Sequence, residues 1–231
     1  MEGLQPPSPI QLGGWPRNPN GGEAADPRLW GVSLPADVSL SQKPYITGNL
    51  IRNDLKIHSE SPLRLEPIGD AEADAAVAIV VRPTSRGLEI LLVRRAINPS
   101  DPWSGDIAFP GGRRKRGESP RETALREVLE EVGINLNECE ALGTLKIARS
   151  RRSPNLRVLP IVYLCRKRLK IRLGEELSQH FWIPLERLRK SRGHALIEGH
   201  EEPAFLLEEG VVWGLTYRML EDLLSRLKGS A

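Results

Sequence analysis

The stretch GRRKRGESPRETALREVLEEVGI, residues 112–134, decides the fold because its local signals define one helix. Ser119 and Glu122 have the spacing of a capping box, and Pro120 stands at the first helical position, where proline is favoured. Gly133 tolerates the left-handed backbone geometry that often follows a last helical turn. Together these signals predict a helix that begins at Pro120 and is about 13 residues long.

The predicted helix carries an apolar face and, beside it, an acidic face. At about 100° per residue, one arc holds the side chains expected to pack on a sheet, which are Ala124, Leu125, Val128 and Val132. The neighbouring arc holds Glu127, Glu130 and Glu131. Repulsion between these carboxylates, together with the helix dipole at the last turn, disfavours this arrangement. One interpretation is a solvated acidic face. The alternative is a hard-oxygen site for Mg²⁺ or Mn²⁺ that binds a phosphate substrate and activates a water.

The composition of the whole chain is that of an ordinary globular protein. Of its 231 residues, 39% are hydrophobic and 27% are charged, which is enough apolar material for a sizeable core. The longest apolar run, residues 75–81, is too short to cross a membrane. The N-terminus lacks the basic-then-apolar layout of a secretory signal. We therefore expect a cytoplasmic protein with no membrane partner.

Basic residues cluster at 113–116, 149–152 and 166–172, and they account for much of the net charge of +3. Such clusters attract phosphates, but no aromatic residues are interleaved with them. We interpret them as solvated loops and strand edges, and expect no binding of nucleic acid.

Two cysteines, Cys139 and Cys165, lie 26 positions apart. They show neither a CxxC motif nor a Cys/His spacing, so the pattern indicates neither a disulfide framework nor a zinc site. We predict buried thiols.

The chain divides into an irregular N-terminal extension, residues 1–70, and one α/β domain, residues 71–231. The first 45 residues hold eight prolines and six glycines, which favours irregular structure that is either free or packed along the body. Strands interleaved with helices then predict a mixed sheet. The expected strands are 76–81, 88–93, 107–109, 142–148, 158–165 and 181–183, and further helices are expected from 184 and over 215–227.

The spacing of Gly112, Glu118, Arg126-Glu127, Val128, Glu130-Glu131, Gly133 and Ile134 matches the signature of the Nudix hydrolases at every position. On these residues the chain is identified as a member of that family. The resemblance implies an α/β/α sandwich with a mixed β-sheet. It also implies an enzyme that cleaves diphosphate linkages in small-molecule nucleoside diphosphate derivatives.

The resemblance also implies roles for residues at matching positions. Glu127, Glu130 and Glu131 are expected to bind Mg²⁺ or Mn²⁺, with help from a backbone carbonyl at Gly111 or Gly112. One of the three glutamates is expected to orient or deprotonate the attacking water. In the loop before the helix, Arg126 is expected to pair with Glu118 and so hold the metal-binding end of the helix in place. Nudix relatives often dimerise, so a homodimer is one expectation.

Two further segments, LLVRRAINPSDPWSGDIAFPGG (91–112) and VVWGLTYRMLEDLL (211–224), resemble the branch of the family that includes coenzyme A diphosphatases. The chain departs from that branch in two places: LLVRRA stands where it has LLTxRS, and Trp103 stands where it has histidine. The expected substrate is coenzyme A or a related nucleoside diphosphate derivative. The alternatives are nucleoside triphosphates, ADP-ribose or NDP-sugars, or a non-catalytic nucleotide-binding module.

Four residues in and beside the first of these segments are candidates for substrate binding. Arg94 and Arg95 end a strand that should run toward the metal loop, where either could hold a phosphate or simply be solvated. Trp103 and Phe109 could stack on a base. Phe109 also fits a position in the core.

Overall fold

A computed structural model describes residues 65–69, 72–153 and 155–227. The described residues form eleven strands, three helices and one turn of 3-10 helix, Leu136–Glu138. The strands are β1 (Ala75–Thr84), β2 (Gly87–Arg95), β3 (Ile107–Ala108), β4 (Gly111–Arg113), β5 (Glu140–Thr144), β6 (Ala148–Arg149), β7 (Arg157–Leu164), β8 (Leu177–Pro184), β9 (Arg192–Ile197), β10 (His200–Leu207) and β11 (Gly210–Trp213). The helices are α1 (Pro120–Val132), α2 (Leu185–Lys190) and α3 (Gly214–Arg226).

The main sheet is mixed, as predicted. Its strands run in the order β3-β2-β1-β7-β5, with β4 paired to β1, β6 to β7 and β8 to β2. Only β1 and β7 pair in parallel, while the other pairs of this sheet are antiparallel. A second, antiparallel sheet has the order β11-β10-β9.

Both faces of β1 are buried, which makes the sheet the middle layer of the domain. On one face, Ala76, Ala78 and Val80 pack with Ala124 and other buried residues of α1. On the other face, Ile79 and Val81 pack in a core that includes the apolar side of α3, formed by Met219, Leu220, Leu223 and Leu224. Because side chains alternate along a strand, one apolar strand supports helices on both sides. The α/β/α arrangement is confirmed.

Helix α1 begins and ends where its local signals predict. The Ser119 hydroxyl accepts a hydrogen bond from the Glu122 amide at 3.2 Å, and the Glu122 carboxylate accepts one from the Ser119 amide at 2.7 Å. Gly133 follows with a φ of 70°, and its amide donates to Leu129. The capping box and the glycine C-cap are therefore confirmed.

The β9–β11 sheet was not predicted from the sequence. The turn between β9 and β10 has positive φ at both Glu198 (51°) and Gly199 (81°). Hairpin turns of that kind favour Asn-Gly or Asp-Gly, and Glu-Gly is a weaker signal. The strand predicted over 142–148 is also divided, because β5 ends at Thr144 and β6 begins at Ala148.

The prediction of two buried thiols is wrong, since Cys139 and Cys165 form a disulfide with their Cα atoms 4.5 Å apart. Glu140 and Leu164 are register partners in the antiparallel β5–β7 pair. The residues just beyond them therefore face each other across the two strands. A separation of 26 positions does not reveal this contact unless the register is known.

The predicted N-terminal extension, residues 1–70, lies almost entirely outside the described residues. Within its described part, Glu66 forms an isolated bridge with Thr144 of β5. No helix in the described ranges is long and apolar enough to cross a membrane.

Candidate active site

One cavity of about 410 Å³ collects most of the predicted site residues. Its lining includes Arg95, Trp103, Phe109, Gly111, Gly112, Glu127 and Glu131. Four other candidates, Arg94, Glu118, Arg126 and Glu130, are not part of its lining. The cavity therefore joins the loop before β4, one side of α1 and the end of β2.

Glu131 is a buried carboxylate at the cavity wall, with only 7% of the residue exposed. Its Oε2 accepts a hydrogen bond of 2.8 Å from the backbone amide of Gly111. Burial raises the pKa of Glu131 to about 7, although the Gly111 hydrogen bond acts in the opposite direction. The nearby charge of Glu127 raises the pKa further. Few protein groups therefore stabilise the negative charge of the Glu131 carboxylate.

Glu127 lies beside Gly112, and the fit between them requires glycine. A Cβ at position 112 would lie 2.6 Å from Oε1 of Glu127, well inside van der Waals contact. At position 111, which has a φ of 148°, a Cβ would come within 2.4 Å of the backbone oxygen of Ala76. The two glycines therefore let β4 pass close to both the sheet and the carboxylate of Glu127.

Glu130 is not part of the cavity lining. Its side chain is 54% exposed and forms ion pairs with Arg126 at 3.1 Å and Lys115 at 3.8 Å. Within the described residues, no group of three His, Cys, Asp or Glu side chains is arranged to hold a metal ion. The structure thus brings two of the three predicted ligands to one wall, and the role of Glu130 as a third stays a prediction.

Arg126 connects the helix to the loop before it. Its guanidinium donates to Glu118 at 2.6 and 3.0 Å, to Glu127 at 2.7 Å and to the backbone oxygen of Arg113 at 3.2 Å. The bond from Arg126 and one from the Lys115 amide hold the pKa of Glu118 at about 2. These contacts fix the Glu127 carboxylate relative to β4, which carries Gly112.

The two arginines at the end of β2 point in different directions. Arg95 lines the cavity and pairs with Asp101 at 2.7 Å. The guanidinium of Arg94 instead donates to Gln179 at 2.9 Å and to the backbone oxygen of Glu209. Adjacent residues of a strand face opposite sides of the sheet. Only Arg95 is therefore positioned to meet a ligand in this cavity.

Of the two aromatic candidates, Phe109 serves both the core and the cavity. It is 3% exposed and belongs to the α3-side core, yet it also lines the cavity. Trp103 is partly exposed at the cavity, and its backbone amide donates to Asp101.

A second wall of the cavity consists of residues that the sequence did not single out. Arg151, Arg152 and Arg218 line it, together with Trp213 and Glu202. Residues 149–152 were predicted to lie in solvated loops and strand edges, and Arg149, Arg151 and Arg152 are indeed exposed. The Arg152 guanidinium nevertheless lies 4.6 Å from the Trp213 ring centre. The run of arginines at 149–152 is visible in the sequence as a basic cluster. Its proximity to α3 depends on the tertiary fold.

Comparison with known proteins agrees with this architecture. The family model described as the NUDIX domain matches residues 72–202. Nudix hydrolase 3 of Caenorhabditis elegans is 32% identical over 200 residues, which cover 75% of this chain and 82% of that protein. The uncharacterized Nudix hydrolase NudL of Yersinia pestis is 34% identical over 163 residues, covering 67% of this chain and 79% of the relative.

Among solved structures, a C. elegans Ap4A hydrolase in a binary complex matches 48% of this chain and 80% of its own, with a TM-score of 0.41 and 22% identity. The family model spans more than half of the chain, and each of the two relatives matches at above 30% identity. By these matches and by its signature helix, the chain belongs to the Nudix family of hydrolases, enzymes that cleave diphosphate linkages.

Proposed function

We propose that this protein is a metal-dependent hydrolase that cleaves the diphosphate linkage of coenzyme A or of a related nucleoside diphosphate derivative. The observation that carries the proposal is the meeting of Glu127, Glu131 and the Gly111-Gly112 backbone at one cavity. A diphosphate is a polyanion, so two carboxylates can take part in binding it only through a cation. The metal and the substrate class therefore belong to one proposal.

The residues present fit Mg²⁺ or Mn²⁺. Both ions prefer oxygen ligands, and Glu131 Oε1 accepts no hydrogen bond from the described residues while lining the cavity. We assign the ion to Glu127 and Glu131, with Glu130 and a carbonyl of Gly111 or Gly112 as further ligands. When bound, such an ion polarises phosphoryl oxygens and lowers the pKa of a coordinated water.

Hydrogen bonds within the protein position the side chains proposed to bind the metal and the substrate. The Gly111 amide holds Glu131, and Arg126 holds Glu127 while its other bonds reach Glu118. Arg95, oriented by Asp101 in the cavity wall, is the residue suited to a non-bridging phosphate oxygen. Because these contacts exist before any ligand arrives, little reorganisation is required on binding.

Coenzyme A is the first candidate because both flanking segments that resemble the diphosphatase branch reach the same cavity. Trp103, Phe109 and Gly112 come from the first segment, and Trp213 and Arg218 come from the second. Segments so far apart in sequence meet at the substrate cavity rather than elsewhere on the surface, which supports a shared role in substrate selection.

The decisive experiment is a substrate screen with and without Mg²⁺ or Mn²⁺, read by mass. Coenzyme A should give 3′,5′-ADP and 4′-phosphopantetheine only when the metal is present. If a nucleoside triphosphate, ADP-ribose or an NDP-sugar has a higher kcat/KM, the coenzyme A assignment is wrong. Metal-dependent turnover of any of these compounds excludes the non-catalytic nucleotide-binding module.

The carboxylate assignment has a matched pair of variants on α1. Glu131→Gln should lower kcat about 100-fold or more at saturating Mg²⁺, since even residues behind metal ligands are worth 10–100-fold. Glu122→Gln makes the same charge change on the same helix, and glutamine also serves in a capping box. It should keep near-normal kcat. Normal turnover in Glu131→Gln would contradict the proposed metal site.

A further inference from the structure

The cavity wall formed by Arg151, Arg152 and Arg218, here called the arginine wall, lies apart from the carboxylates of α1. Arg151 and Arg152 come from the loop between β6 and β7, and Arg218 comes from α3. Three guanidinium groups in one wall repel each other unless anions neutralise them. The ion pairs of each arginine therefore indicate what the wall can bind.

Two of the three arginines are neutralised by the protein. Arg152 donates to Asp106 at 3.0 Å, to Glu198 at 2.5 Å and to the Pro102 carbonyl at 2.7 Å. Arg151 donates to both carboxylate oxygens of Glu202, at 2.8 and 2.7 Å. The carboxylates of Asp106, Glu198 and Glu202 are therefore already paired with Arg151 or Arg152.

Arg218 has no such partner. It donates through Nε to the Gly214 carbonyl at 3.3 Å and through Nη2 to the Arg149 carbonyl at 2.6 Å. In the described part of the chain it forms no ion pair, and its Nη1 donates no hydrogen bond. Burial lowers the pKa of Arg218 and the charge of Arg151 lowers it further, while the charge of Glu202, which is already paired with Arg151, acts in the opposite direction. Arg218 therefore lines the cavity as a partly desolvated cation that is held by backbone carbonyls and forms no direct ion pair in the described part of the chain.

We infer that Arg218, assisted by Arg151, binds a phosphomonoester of the substrate that is separate from the diphosphate undergoing cleavage. This inference rests on the proposed function, because it treats the cavity as a substrate site. A phosphomonoester carries about −1.5 to −2 charges at neutral pH and has three acceptor oxygens. It can therefore satisfy the free donor of Arg218 and relieve the repulsion between two guanidinium groups.

A second anionic group must bind at this wall rather than beside α1. Glu127 and Glu131 repel anions unless a metal lies between them, and the proposed metal already serves the diphosphate. The favoured substrate therefore extends across the cavity, with the diphosphate at α1 and a terminal phosphate at α3. Coenzyme A carries such a phosphate on its ribose, and dephospho-coenzyme A lacks it.

The test uses pairs of compounds that differ only by one phosphomonoester on a ribose. These are coenzyme A with dephospho-coenzyme A, which differ at the 3′ position, and NADPH with NADH, which differ at the 2′ position. The quantity measured is the ratio of kcat/KM for the phosphorylated member over the other. We expect a ratio of about 10–100 in the wild type, the range of charge-assisted hydrogen bonds. It should fall to near one in Arg218→Gln. A merely structural defect lowers kcat/KM for both compounds of a pair and leaves their ratio unchanged.

Arg149→Gln is the matched control, because Arg149 is an exposed arginine in the adjacent strand that does not line the cavity. Its ratio should equal that of the wild type. The inference is overturned if the wild type shows no preference in any pair or if Arg218→Gln keeps the preference. An equal loss in Arg149→Gln would also overturn it, since the effect would then arise from the general basic field.

The same experiment separates this inference from the coenzyme A assignment. If only the NADPH pair is hydrolysed and its ratio depends on Arg218, coenzyme A is the wrong substrate and the phosphate site stands. If coenzyme A is cleaved but neither pair shows a preference for its phosphorylated member, the coenzyme A assignment stands and the phosphate site is wrong. If neither pair is hydrolysed, calorimetric affinities for the four compounds give the ratio, and they decide the role of Arg218 in the same way.

Discussion

The carboxylate of Glu127 occupies the space in which any other residue at position 112 would carry its Cβ. Arg126 holds that carboxylate from the other side, at 2.7 Å. The Glu127 carboxylate is therefore restricted between a guanidinium and a backbone. At the scale of single residues, the absence of a side chain at Gly112 is as much a part of the proposed site as the glutamates.

The substitution Gly112→Ala tests this restriction. The new Cβ would stand 2.6 Å from Oε1 of Glu127, so the carboxylate must move. Displacing a catalytic group by about 1 Å can lower activity about 100-fold, and we expect a loss of that order in kcat. Gly69→Ala is the control, because its Cβ meets no atom within 4 Å. Wild-type kinetics in Gly112→Ala would show that Glu127 does not need its present position.

At the scale of elements, β1 and β7 are joined at their N-terminal ends by Asp74 and Arg157. The Asp74 carboxylate accepts bonds from the Arg157 backbone amide at 2.9 Å and from its guanidinium at 3.1 and 3.2 Å. The Arg157 side chain and then its amide hold the pKa of Asp74 at about 2, below its ordinary 3.8. These contacts join the starts of β1 and β7, which pair in parallel.

The pKa of Asp74 predicts a pH-dependent contribution to stability. A carboxyl whose folded pKa is depressed stabilises the fold above its unfolded pKa, and this contribution is lost as pH falls through the folded value. Wild type should therefore exceed Asp74→Asn by a few degrees in Tm at pH 7, and the gap should narrow as pH falls from about 4 through about 2. Glu72→Gln, whose side chain is 89% exposed, should show little gap at either pH. A gap in Asp74→Asn that is as large at pH 2 as at pH 7 would contradict the assignment.

The elements that could be predicted from the sequence are those whose signals are local. Helix α1 follows from Ser119, Glu122 and Gly133, each of which acts within one turn of the helix end. The Cys139–Cys165 disulfide depends on the pairing of β5 with β7, which no local pattern encodes. Disulfides are rare in cytosolic proteins, so the Cys139–Cys165 disulfide does not support the predicted cytoplasmic location. That location stays a prediction.

At the scale of the whole molecule, the cavity has walls from both sides of the sheet. The wall that carries Glu127 and Glu131 was predictable because one helix contains both residues. The wall that carries Arg151 and Arg218 was not, because a loop and a distant helix meet only after the sheet has formed. Residue type and spacing therefore indicate the reaction, while the features that select a substrate emerge from tertiary packing.

The buried charge of Glu131 also links metal binding to the stability of the whole domain. A ligand that binds only the folded state at 100 times its Kd stabilises it by about 2.7 kcal/mol. For a domain of this size, that corresponds to a rise in Tm on the order of 5–10 °C. We expect such a rise in wild type and in Glu122→Gln with millimolar Mg²⁺ or Mn²⁺, measured against a chelator. Glu127→Gln and Glu131→Gln should lose it.

In the presence of chelator, the expected effect of Glu131→Gln on Tm has the opposite sign. Glu131→Gln should melt above wild type there, because it replaces a poorly compensated buried carboxylate with a neutral side chain that can still accept from the Gly111 amide. Glu130→Gln shows whether the exposed glutamate turns inward as a third ligand, in which case its metal-induced shift is reduced. An undiminished shift in both Glu127→Gln and Glu131→Gln would mean that the ions bind elsewhere on the molecule.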